Sequence, residues 1–351
     1  MDWRSSMQQT YEFYEVDPST WKDVRRIDSI TTCSITRDSG DSTLGSATIG
    51  STEVMDECYI RVYLVAIQNG VTERVPLGTF LVQTPSSNFD GKSHNISMDA
   101  YTPLIELKGT MPPIGYALLK GERIMEQAST LCREVLRAPV IAAKSDDKLK
   151  SDFVSNLNDT WQTFISDLIA EAKYKFALDE LGRVLFEPEQ DIASLQPVWT
   201  YDDGNSSILY PEISDERDLY DIPNVVEVIY STDTAYIVSR IVNDDPNSPV
   251  STVNRGREVT KRDSNPSFVG EPTQEQVDAY AKQLLRNLSC LEHTVTYSHG
   301  YCPVRVGDCV MLDYNRSGIT NVKAKVVSQS ISCTTGCPVE ETAVYTINLW
   351  G

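Results

Sequence analysis

The stretch of sequence that decides the fold runs from Thr294 to Gly351 and contains Thr294-Val295-Thr296-Tyr297, Cys309-Val310-Met311-Leu312-Asp313-Tyr314, Val322-Lys323-Ala324-Lys325-Val326-Val327-Ser328-Gln329-Ser330-Ile331 and Thr342-Ala343-Val344-Tyr345-Thr346-Ile347-Asn348-Leu349. Apolar and polar residues alternate along these segments, and glycine, asparagine and aspartate occupy the breaks. This pattern is typical of strands that are half buried on one face and joined by tight turns. It predicts a small antiparallel barrel or sandwich.

A helix is predicted directly before these strands, at about residues 274–289. Thr273 and Gln276 have the spacing of a capping box, in which two side chains satisfy backbone amides at the helix start. Residues 197–223, further upstream, are acidic and rich in turn residues, so we expect loops there. These segments together predict a C-terminal β module over residues 196–351.

A second β module is predicted over residues 1–108. Its strongest signal is a pair of alternating segments, residues 59–67 and 73–82, which are separated by a loop containing Asn69-Gly70. Asn-Gly favours a hairpin because both residues accept the positive φ angles of a two-residue turn. The N-terminal module is therefore expected to be mainly antiparallel.

An α+β insertion is predicted between the two modules, over residues 109–195. Apolar residues recur at helical spacing over about 122–137 and again over 160–173, where Asp159 is placed to cap the second helix. The period then changes to two, which predicts a hairpin over residues 174–187. The fold class is thus α+β, mainly antiparallel β, with two β modules and a small insertion.

Length and charge narrow the class of protein. A chain of 351 residues with 40% hydrophobic residues is long and apolar enough for two or three packed domains. A net charge of −19 argues against nucleic-acid binding, which requires clustered lysine and arginine. No apolar run has the length of a signal peptide or a membrane span, so we expect a soluble protein made in the cytoplasm.

Catalytic signatures are weak in this sequence. The three histidines are His94, His293 and His299, and the last two flank the strand predicted at residues 294–297. None of them lies beside a nucleophile in a recognisable motif. The 50 carboxylates ensure that some will pair, so a glycosidase-like pair cannot be selected without geometry. We therefore predict a protein that is not an enzyme and has no cofactor.

Four of the eight cysteines could in principle hold zinc or an iron–sulfur cluster: Cys302, Cys309, Cys333 and Cys337. Six residues separate the first two and three separate the last two, and these spacings match no compact metal-binding knuckle. Cys309 lies on a predicted strand, where it would pack as a small apolar residue. Buried thiols without a metal are the favoured interpretation, and a cluster remains the alternative.

Several short motifs, taken in order, resemble those of phage tail and baseplate hub proteins, a family that includes the late control protein D group. The motifs are Pro76-Leu77-Gly78-Thr79-Phe80-Leu81-Val82, Ala100-Tyr101 before Leu104-Ile105-Glu106-Leu107, Tyr174-Lys175-Phe176-Ala177-Leu178-Asp179 before Gly182-Arg183-Val184, Asp221-Ile222-Pro223-Asn224-Val225-Val226, Ser248-Pro249-Val250-Ser251 with Gly256-Arg257, and Val306-Gly307-Asp308-Cys309-Val310. Their order and spacing extend over most of the chain.

The resemblance implies a specific architecture and set of partners. Such hubs are homotrimers in which each chain supplies two barrels similar to the tail-tube subunit, with the insertion at the periphery. Three chains would present a pseudo-sixfold ring to the tail tube or distal tail protein, and a threefold platform to a central spike or fibre protein. The tape measure protein is a further candidate partner. The resemblance also implies a place in the virion, at the tail baseplate or tip, after assembly in the host cytoplasm.

Three other interpretations stay open at this stage. The 17 tyrosines could form a sugar platform in a tail-associated carbohydrate-binding or adaptor module, although cross-strand packing is the favoured explanation for them. A cell-wall hydrolase is a second alternative, weakened by the lack of a catalytic motif. The third keeps the hub role and adds a metal cluster at the C-terminal cysteines.

Overall fold

The computed structural model describes residues 1–89, 91–92, 94–232, 235–264, 266, 268 and 271–350. Two features named in the sequence analysis are not described by the structure. They are the side chain of His94, a residue of which only the backbone is described, and the terminal Gly351. The described part is built mainly from strands, with a small number of short helices. None of the helices in these ranges is both long and apolar enough to cross a membrane.

The strands in chain order are β1 Gln8–Val16, β2 Asp23–Arg26, β3 Ile30–Asp38, β4 Gly45–Ser51, β5 Tyr59–Gln68, β6 Val71–Phe89, β7 His94–Tyr101, β8 Ala117–Leu118, β9 Phe153–Val154, β10 Tyr174–Leu178, β11 Val184–Pro188, β12 Trp199–Asp202, β13 Leu209–Arg217, β14 Val225–Ser231, β15 Tyr236–Val242, β16 Thr260–Asp263, β17 Cys290–Gly300, β18 Cys309–Tyr314, β19 Ile319–Ser332 and β20 Pro338–Asn348. Most strand pairs are antiparallel, while β12–β18 and β14–β16 are parallel. The predicted fold class, α+β and mainly antiparallel β, is confirmed.

The helices are α1 Ile105–Lys108, α2 Ile124–Val135, α3 Trp161–Ala170, α4 Thr252–Arg255 and α5 Gln274–Leu288, with 3-10 turns at Ile192–Ser194 and Asn315–Ser317. The capping box predicted for α5 is confirmed, because Thr273 and Gln276 each bond the other's backbone amide. The predicted cap of α3 is wrong. Thr160 is the N-cap and bonds the amide of Thr163, while Asp159 bonds the amide of Asn156 one turn earlier.

The chain divides into two compact units, which we call unit 1 and unit 2. Unit 1 contains residues 1–212 and 297–342, and unit 2 contains residues 213–296 and 343–351. The boundaries fall within β13, β17 and β20. The predicted division at 108/109 and 195/196 does not coincide with these boundaries, and the two-module organisation stays a prediction.

Unit 1 contains a long antiparallel run of strands in the order β19-β3-β4-β7-β6-β5-β1-β2. The β5–β6 hairpin is confirmed as an Asn-Gly turn, because Asn69 and Gly70 have φ angles of 51° and 77° between the paired residues Gln68 and Val71. The first half of β19 pairs with β18, which in turn pairs with β12 in parallel.

The second half of β19 pairs with β3, and we call this pairing the seam. It joins residues 328–332 to residues 34–38, with Gln329 opposite Arg37 and Ile331 opposite Ile35. Ile331 and Ile35 are both buried in the apolar cluster beneath the sheet. The seam therefore places strands from the two ends of the chain in one continuous sheet.

A second apolar cluster of unit 1 lies in the insertion. It packs α2 and α3 against the β10–β11 hairpin, with Ala128, Ile165, Leu168 and Val184 fully buried. Both helices bury one apolar face, which explains why their sequence shows helical spacing. These residues therefore form one small core, to which Leu104 and Leu107 also contribute.

The tip of the β10–β11 hairpin docks on the N-terminal strands of unit 1. The indole of Trp21 and the guanidinium of Arg61 both donate to the carbonyl oxygen of Leu181, at 2.7 and 3.1 Å. Gly182 adopts a φ of 73°, and a Cβ on it would lie 2.7 Å from Cβ of Thr79. Only glycine fits both the backbone angle and the close approach at this position.

Unit 2 has its own core, formed where α5 packs on the small sheet β15-β14-β16. The buried residues are Val226 and Val228 of β14 and Val277, Ala281 and Leu285 of α5. The apolar residues of this helix therefore form the face that packs on the sheet. β14 and β16 pair in parallel, and α4 lies between them in the sequence.

The expectation of loops over residues 197–223 is wrong in part, because β12 and β13 lie there. β12 contains only four residues and is followed by Asp203-Gly204, so its local sequence indicates a turn. Its strand conformation depends on pairing with β18, in which Trp199 lies opposite Val310. Tertiary pairing here overrides local turn preference.

We predict that Gly182→Ala destabilises the protein more than Gly70→Ala. Both glycines have similar positive φ angles, so each alanine costs about 1–2 kcal/mol of backbone strain. Gly70 has open space around it, whereas Gly182 would also overpack against Thr79, adding about 1–3 kcal/mol. Urea unfolding of the two variants measures the difference, and equal losses would contradict the docking of the hairpin tip.

Candidate functional site

A chain of hydrogen-bonded polar side chains crosses the interior of unit 1, and we call it the buried polar network. Its members come from β3, β12, β17, β19 and β20 and from the loop after β17; they are Arg37, Tyr201, Tyr297, His299, Cys302, Gln329 and Glu341. All of them except Arg37 are buried. Buried polar groups are stable only when they find partners.

The carboxylate of Glu341 is the centre of the network and has no exposed surface. It accepts hydrogen bonds from the Tyr297 hydroxyl and from the Gln329 amide at 2.7 Å. The ring nitrogen Nε2 of His299 lies 3.5 Å from Oε2 of the same carboxylate. Burying a lone carboxylate costs several kcal/mol, so these donors are what make the position tolerable.

Gln329 connects Glu341 to the seam. Its amide nitrogen donates to Glu341 and to the carbonyl oxygen of Val304, at 2.7 and 3.0 Å. Its amide oxygen accepts a hydrogen bond from the Arg37 guanidinium at 3.1 Å, and Arg37 is the residue opposite it across the seam. The positively charged Arg37 is therefore linked to the buried carboxylate of Glu341 through the amide group of Gln329.

His299 is held as an imidazolium by its surroundings. Burial lowers the pKa of His299, but hydrogen bonds to Cys302 and Glu341 outweigh burial and raise the pKa to about 10. Nδ1 lies 2.7 Å from the carbonyl oxygen of Gly300, which only accepts, so this nitrogen carries a proton. Nε2 lies 3.0 Å from the Tyr201 hydroxyl. Both ring nitrogens therefore have an acceptor for a proton.

The two tyrosines of the network remain protonated donors. Burial, and then the carboxylate of Glu341, raises the pKa of Tyr297 well above its usual range. The pKa of Tyr201 is raised in the same way, by burial first. The Tyr201 hydroxyl also lies 3.2 Å from Sγ of Cys302. In this arrangement the positive charge of His299 offsets the negative charge of Glu341, and each side chain of the network has a partner.

A cavity of about 830 Å³ in unit 1 lies beside the seam. Residues of β3, α3, the β10–β11 hairpin and the turn before β18 line it. Glu180 bridges two arginines on its wall, with its carboxylate 2.7 Å from Nε of Arg305 and 3.9 Å from Nη1 of Arg37. Arg37 is thus shared between the cavity wall and the buried polar network.

Two further ionisable groups line the cavity with shifted pKa values. Burial raises the pKa of Asp308, whose carboxylate also accepts a bond from the backbone amide of Arg305. Burial and the neighbouring Lys175 lower the pKa of Lys325. The cavity wall therefore carries charges of both signs, and Glu187 and Glu189 also contribute to it.

The structure does not bring the four candidate metal-binding cysteines together. Cys302 lies in the buried polar network, Cys309 is buried on β18, and Cys333 and Cys337 lie near the first apolar cluster. Across the described ranges, no three His, Cys, Asp or Glu side chains converge in a way that could hold a metal ion. The absence of a metal and of a cofactor stays a prediction.

Two histidines are placed differently from the sequence expectation. His293 and His299 were expected to flank a strand, but both lie within β17 on its buried face. In unit 2, Nδ1 of His293 lies 2.8 Å from the Asp215 carboxylate and 3.0 Å from the Tyr345 hydroxyl. The strand is longer because the alternation continues through both histidines.

Sequence reasoning missed Glu341, Gln329 and Tyr201, although one signal was present. Glu341 is in phase with Val339, Ala343 and Tyr345 along β20, and these residues share the buried face. A carboxylate in an apolar register is a sign of a buried charge with partners. Its partners could not be found from sequence, because they come from two other strands, β17 and β19, whose register with β20 is not a local property.

We predict that Glu341→Ala costs about 3–5 kcal/mol of unfolding free energy, because it leaves the imidazolium of His299 buried without its carboxylate. Glu340→Ala is the matched control, since Glu340 precedes it on the same strand and is exposed. The control should change stability by less than about 0.5 kcal/mol. Chemical denaturation of both variants measures this, and similar small losses would show that the network contributes little.

Stability should also depend on pH through His299. Because the folded pKa is raised to about 10 from 6.5, its contribution is complete below about pH 6.5 and is lost as pH rises through 10. His299→Asn removes this titration. The difference in unfolding free energy between the original protein and the variant should therefore shrink from pH 6.5 to pH 10. A difference that stays constant over this range would contradict the raised pKa.

No model of a protein family matches this sequence, and no curated protein matches it. Solved structures do resemble it. A tail protein from Neisseria meningitidis is 13% identical, with a TM-score of 0.63 over 97% of this chain and 98% of the other. The 43 kDa tail protein of prophage MuSo2 from Shewanella oneidensis is 11% identical, with a TM-score of 0.65 over 96% and 98%.

A prophage tail protein from Listeria monocytogenes is also similar in fold. It is 13% identical to this chain and has a TM-score of 0.50, with 96% of this chain and 95% of the other covered. The likeness to all three proteins extends from end to end of the chain. The chain therefore has the fold of phage tail proteins, as the resemblance in its sequence implies.

Proposed function

We propose that this chain is a structural hub of a phage tail baseplate or tail tip. The observation that carries the proposal is the likeness in fold to tail proteins over 96–97% of the chain, with TM-scores up to 0.65. A likeness of that extent includes the insertion as well as the β-rich parts. The proposed location is the virion tail, after assembly in the host cytoplasm.

The proposed assembly is a homotrimer that adapts a sixfold tail tube to a threefold spike or fibre. Its partners would be the tail tube or distal tail protein on one side, the spike or fibre on the other, and the tape measure protein. One supporting feature is β2, which ends the strand order of unit 1. Its Val24 is 66% exposed, and an unpaired edge strand readily pairs with another chain.

The insertion supports assembly through a second exposed surface. Met111, Ile114, Leu119, Val154 and Leu157 are apolar and exposed, and the pairing of β8 with β9 brings together the segments that carry Leu119 and Val154. Adjacent exposed apolar side chains are typical of surfaces that meet another protein. We propose that this surface contacts another tail component.

The charge of the chain is consistent with a channel for DNA. A net charge of −19 repels phosphates, so DNA would pass along a surface of this kind without binding to it. We propose a role in lining the channel during ejection and no sequence-specific contact with nucleic acid.

We propose a structural role rather than catalysis. The ionisable groups of the buried polar network serve one another, since Glu341 accepts from Tyr297 and Gln329 and faces His299. A reacting group needs contact with substrate, and these side chains have almost no exposed surface. Any cell-wall hydrolysis during infection would then come from a partner.

The tyrosines favour the hub over a carbohydrate-binding module. Tyr59, Tyr201 and Tyr297 are among the largest fully buried side chains, so they fill the core. Tyr220 and Tyr236 are exposed, at 72% and 71%, and both lie in unit 2. A sugar platform requires several exposed rings on one surface.

The hub proposal predicts that the purified chain forms a trimer of three times its 39.2 kDa mass, alone or with a tail-tube or spike partner. Light scattering after size exclusion measures the mass, and electron microscopy should show rings. Val24→Asp should reduce the trimer because it puts a charge on the edge strand. Val71→Asp is the matched control, since Val71 is 63% exposed but lies on β6 inside the sheet.

Two outcomes would contradict this proposal. A chain that stays monomeric at all concentrations and with both partners would not be a hub. Binding of sugar by the monomer, measured by calorimetry, would favour the carbohydrate-binding alternative, while release of muropeptides from cell walls would favour a hydrolase.

A further inference from the structure

Two cysteines from opposite ends of the chain face each other across the seam. The register of β3 and β19 places Ser34 opposite Ser332, so the next pair is Cys33 and Cys333. The backbone amide of Cys333 donates to the carbonyl oxygen of Cys33 at 3.0 Å. In an antiparallel pair, residues joined in this way have Cα atoms about 5.5 Å apart, within the range that a disulfide spans.

Their side chains lie on the same face of the sheet. Cys33 belongs to the first apolar cluster of unit 1 and is 5% exposed, and Cys333 packs against that cluster while remaining half-buried. A hydrogen bond with the Cys33 thiol, followed by burial, raises the pKa of Cys333. The two thiols therefore face each other on the buried side of the sheet, and both are free.

Cys337 is the nearest competitor for either thiol. It is fully buried in the turn between β19 and β20 and belongs to the same apolar cluster. Burial raises the pKa of Cys337 to about 12, although its hydrogen bond with Tyr11 lowers it. Unlike Cys333, this thiol has no exposed surface from which a soluble oxidant could reach it.

We propose that Cys33 and Cys333 form a redox modification site that takes a low-molecular-weight disulfide, such as oxidised glutathione, as its oxidant. The half-buried Cys333 reacts first. Its thiolate attacks one sulfur of the oxidant, forming a mixed disulfide and releasing one glutathione thiolate, which takes up the proton. The thiolate of Cys33 then attacks Sγ of Cys333, forming the Cys33–Cys333 bond and releasing the second glutathione.

The balance of this reaction is closed. Two protein thiols lose two protons and two electrons, and one oxidised glutathione becomes two reduced molecules. The raised pKa of Cys333 makes its thiolate scarce at neutral pH, so the first step is slow and speeds up as pH rises. In a reducing cytoplasm the pair therefore stays as thiols.

The bond would join the two strands of the seam covalently and would be easily broken by reduction. It would covalently link two segments that are about 300 positions apart. A disulfide that closes a loop of this length is expected to stabilise the folded state strongly. The opposed Cβ atoms of a hydrogen-bonded pair lie about 5.5 Å apart, which is wider than a disulfide takes. The strands must close locally, and a strained bond of this kind is readily reduced.

The test uses the full chain incubated with oxidised glutathione, then digested with trypsin without reductant. Cleavage after Arg26, Arg37 and Lys325 gives peptides 27–37 and 326–351, which contain Cys33 and Cys333 respectively. We expect these peptides to be joined, with the intact chain lighter by two hydrogen masses. Fragmentation between residues 333 and 337 assigns the bonded cysteine, and the melting temperature of the oxidised chain should rise.

Matched serine variants sharpen the result. Cys33→Ser and Cys333→Ser should each abolish the linkage, with Cys33→Ser retaining one glutathione on Cys333. Cys132→Ser should leave it intact, since Cys132 lies in the other cluster of unit 1. A Cys333–Cys337 bond, loss of the linkage in Cys337→Ser, or no change after oxidation would overturn the proposal. The peptide map of the original chain decides the question even if a variant fails to fold.

Discussion

The seam between β3 and β19 is the interaction on which the rest of unit 1 depends. Backbone pairing from Ser328 opposite Asp38 to Ser332 opposite Ser34 joins segments that lie nearly the whole sequence apart. Such a contact closes a very long loop, but closure entropy grows only slowly with length, by about 0.6 kcal/mol for each doubling. The buried isoleucines beneath the seam and its backbone bonds offset that cost.

Three other features of unit 1 follow from the same pairing. Arg37 meets Gln329 because they are opposite each other, and Gln329 is then in position to donate to Glu341. Arg37 also reaches Glu180 on the wall of the neighbouring cavity. The two opposed cysteines lie one register step beyond the last paired residues. A shift of one residue would turn every one of these side chains to the other face.

The sequence predicted local structure better than long-range structure, for a physical reason, although the cap of α3 is a local prediction that was wrong. The Asn69-Gly70 turn and the Thr273–Gln276 capping box were predictable because all their interactions lie within a few residues. The fold class followed from the period of the strands. The pairing of β12 with β18, the seam and the partners of Glu341 all depend on register between distant segments. Local patterns do not contain that register.

The buried polar network also explains why a charged group occurs in the core of a structural protein. Apolar packing alone is tolerant of small shifts between strands, whereas Glu341 is stable only when Tyr297, Gln329 and His299 present their donors together. Since these residues come from different strands, a strand in the wrong register would leave the carboxylate of Glu341 buried without its partners. Such a buried charge costs several kcal/mol. The network thus penalises the wrong registers of the seam more than it stabilises the right one. The same selectivity means that Cys33 and Cys333 meet only in the correctly folded chain, because their contact requires the register that the network enforces.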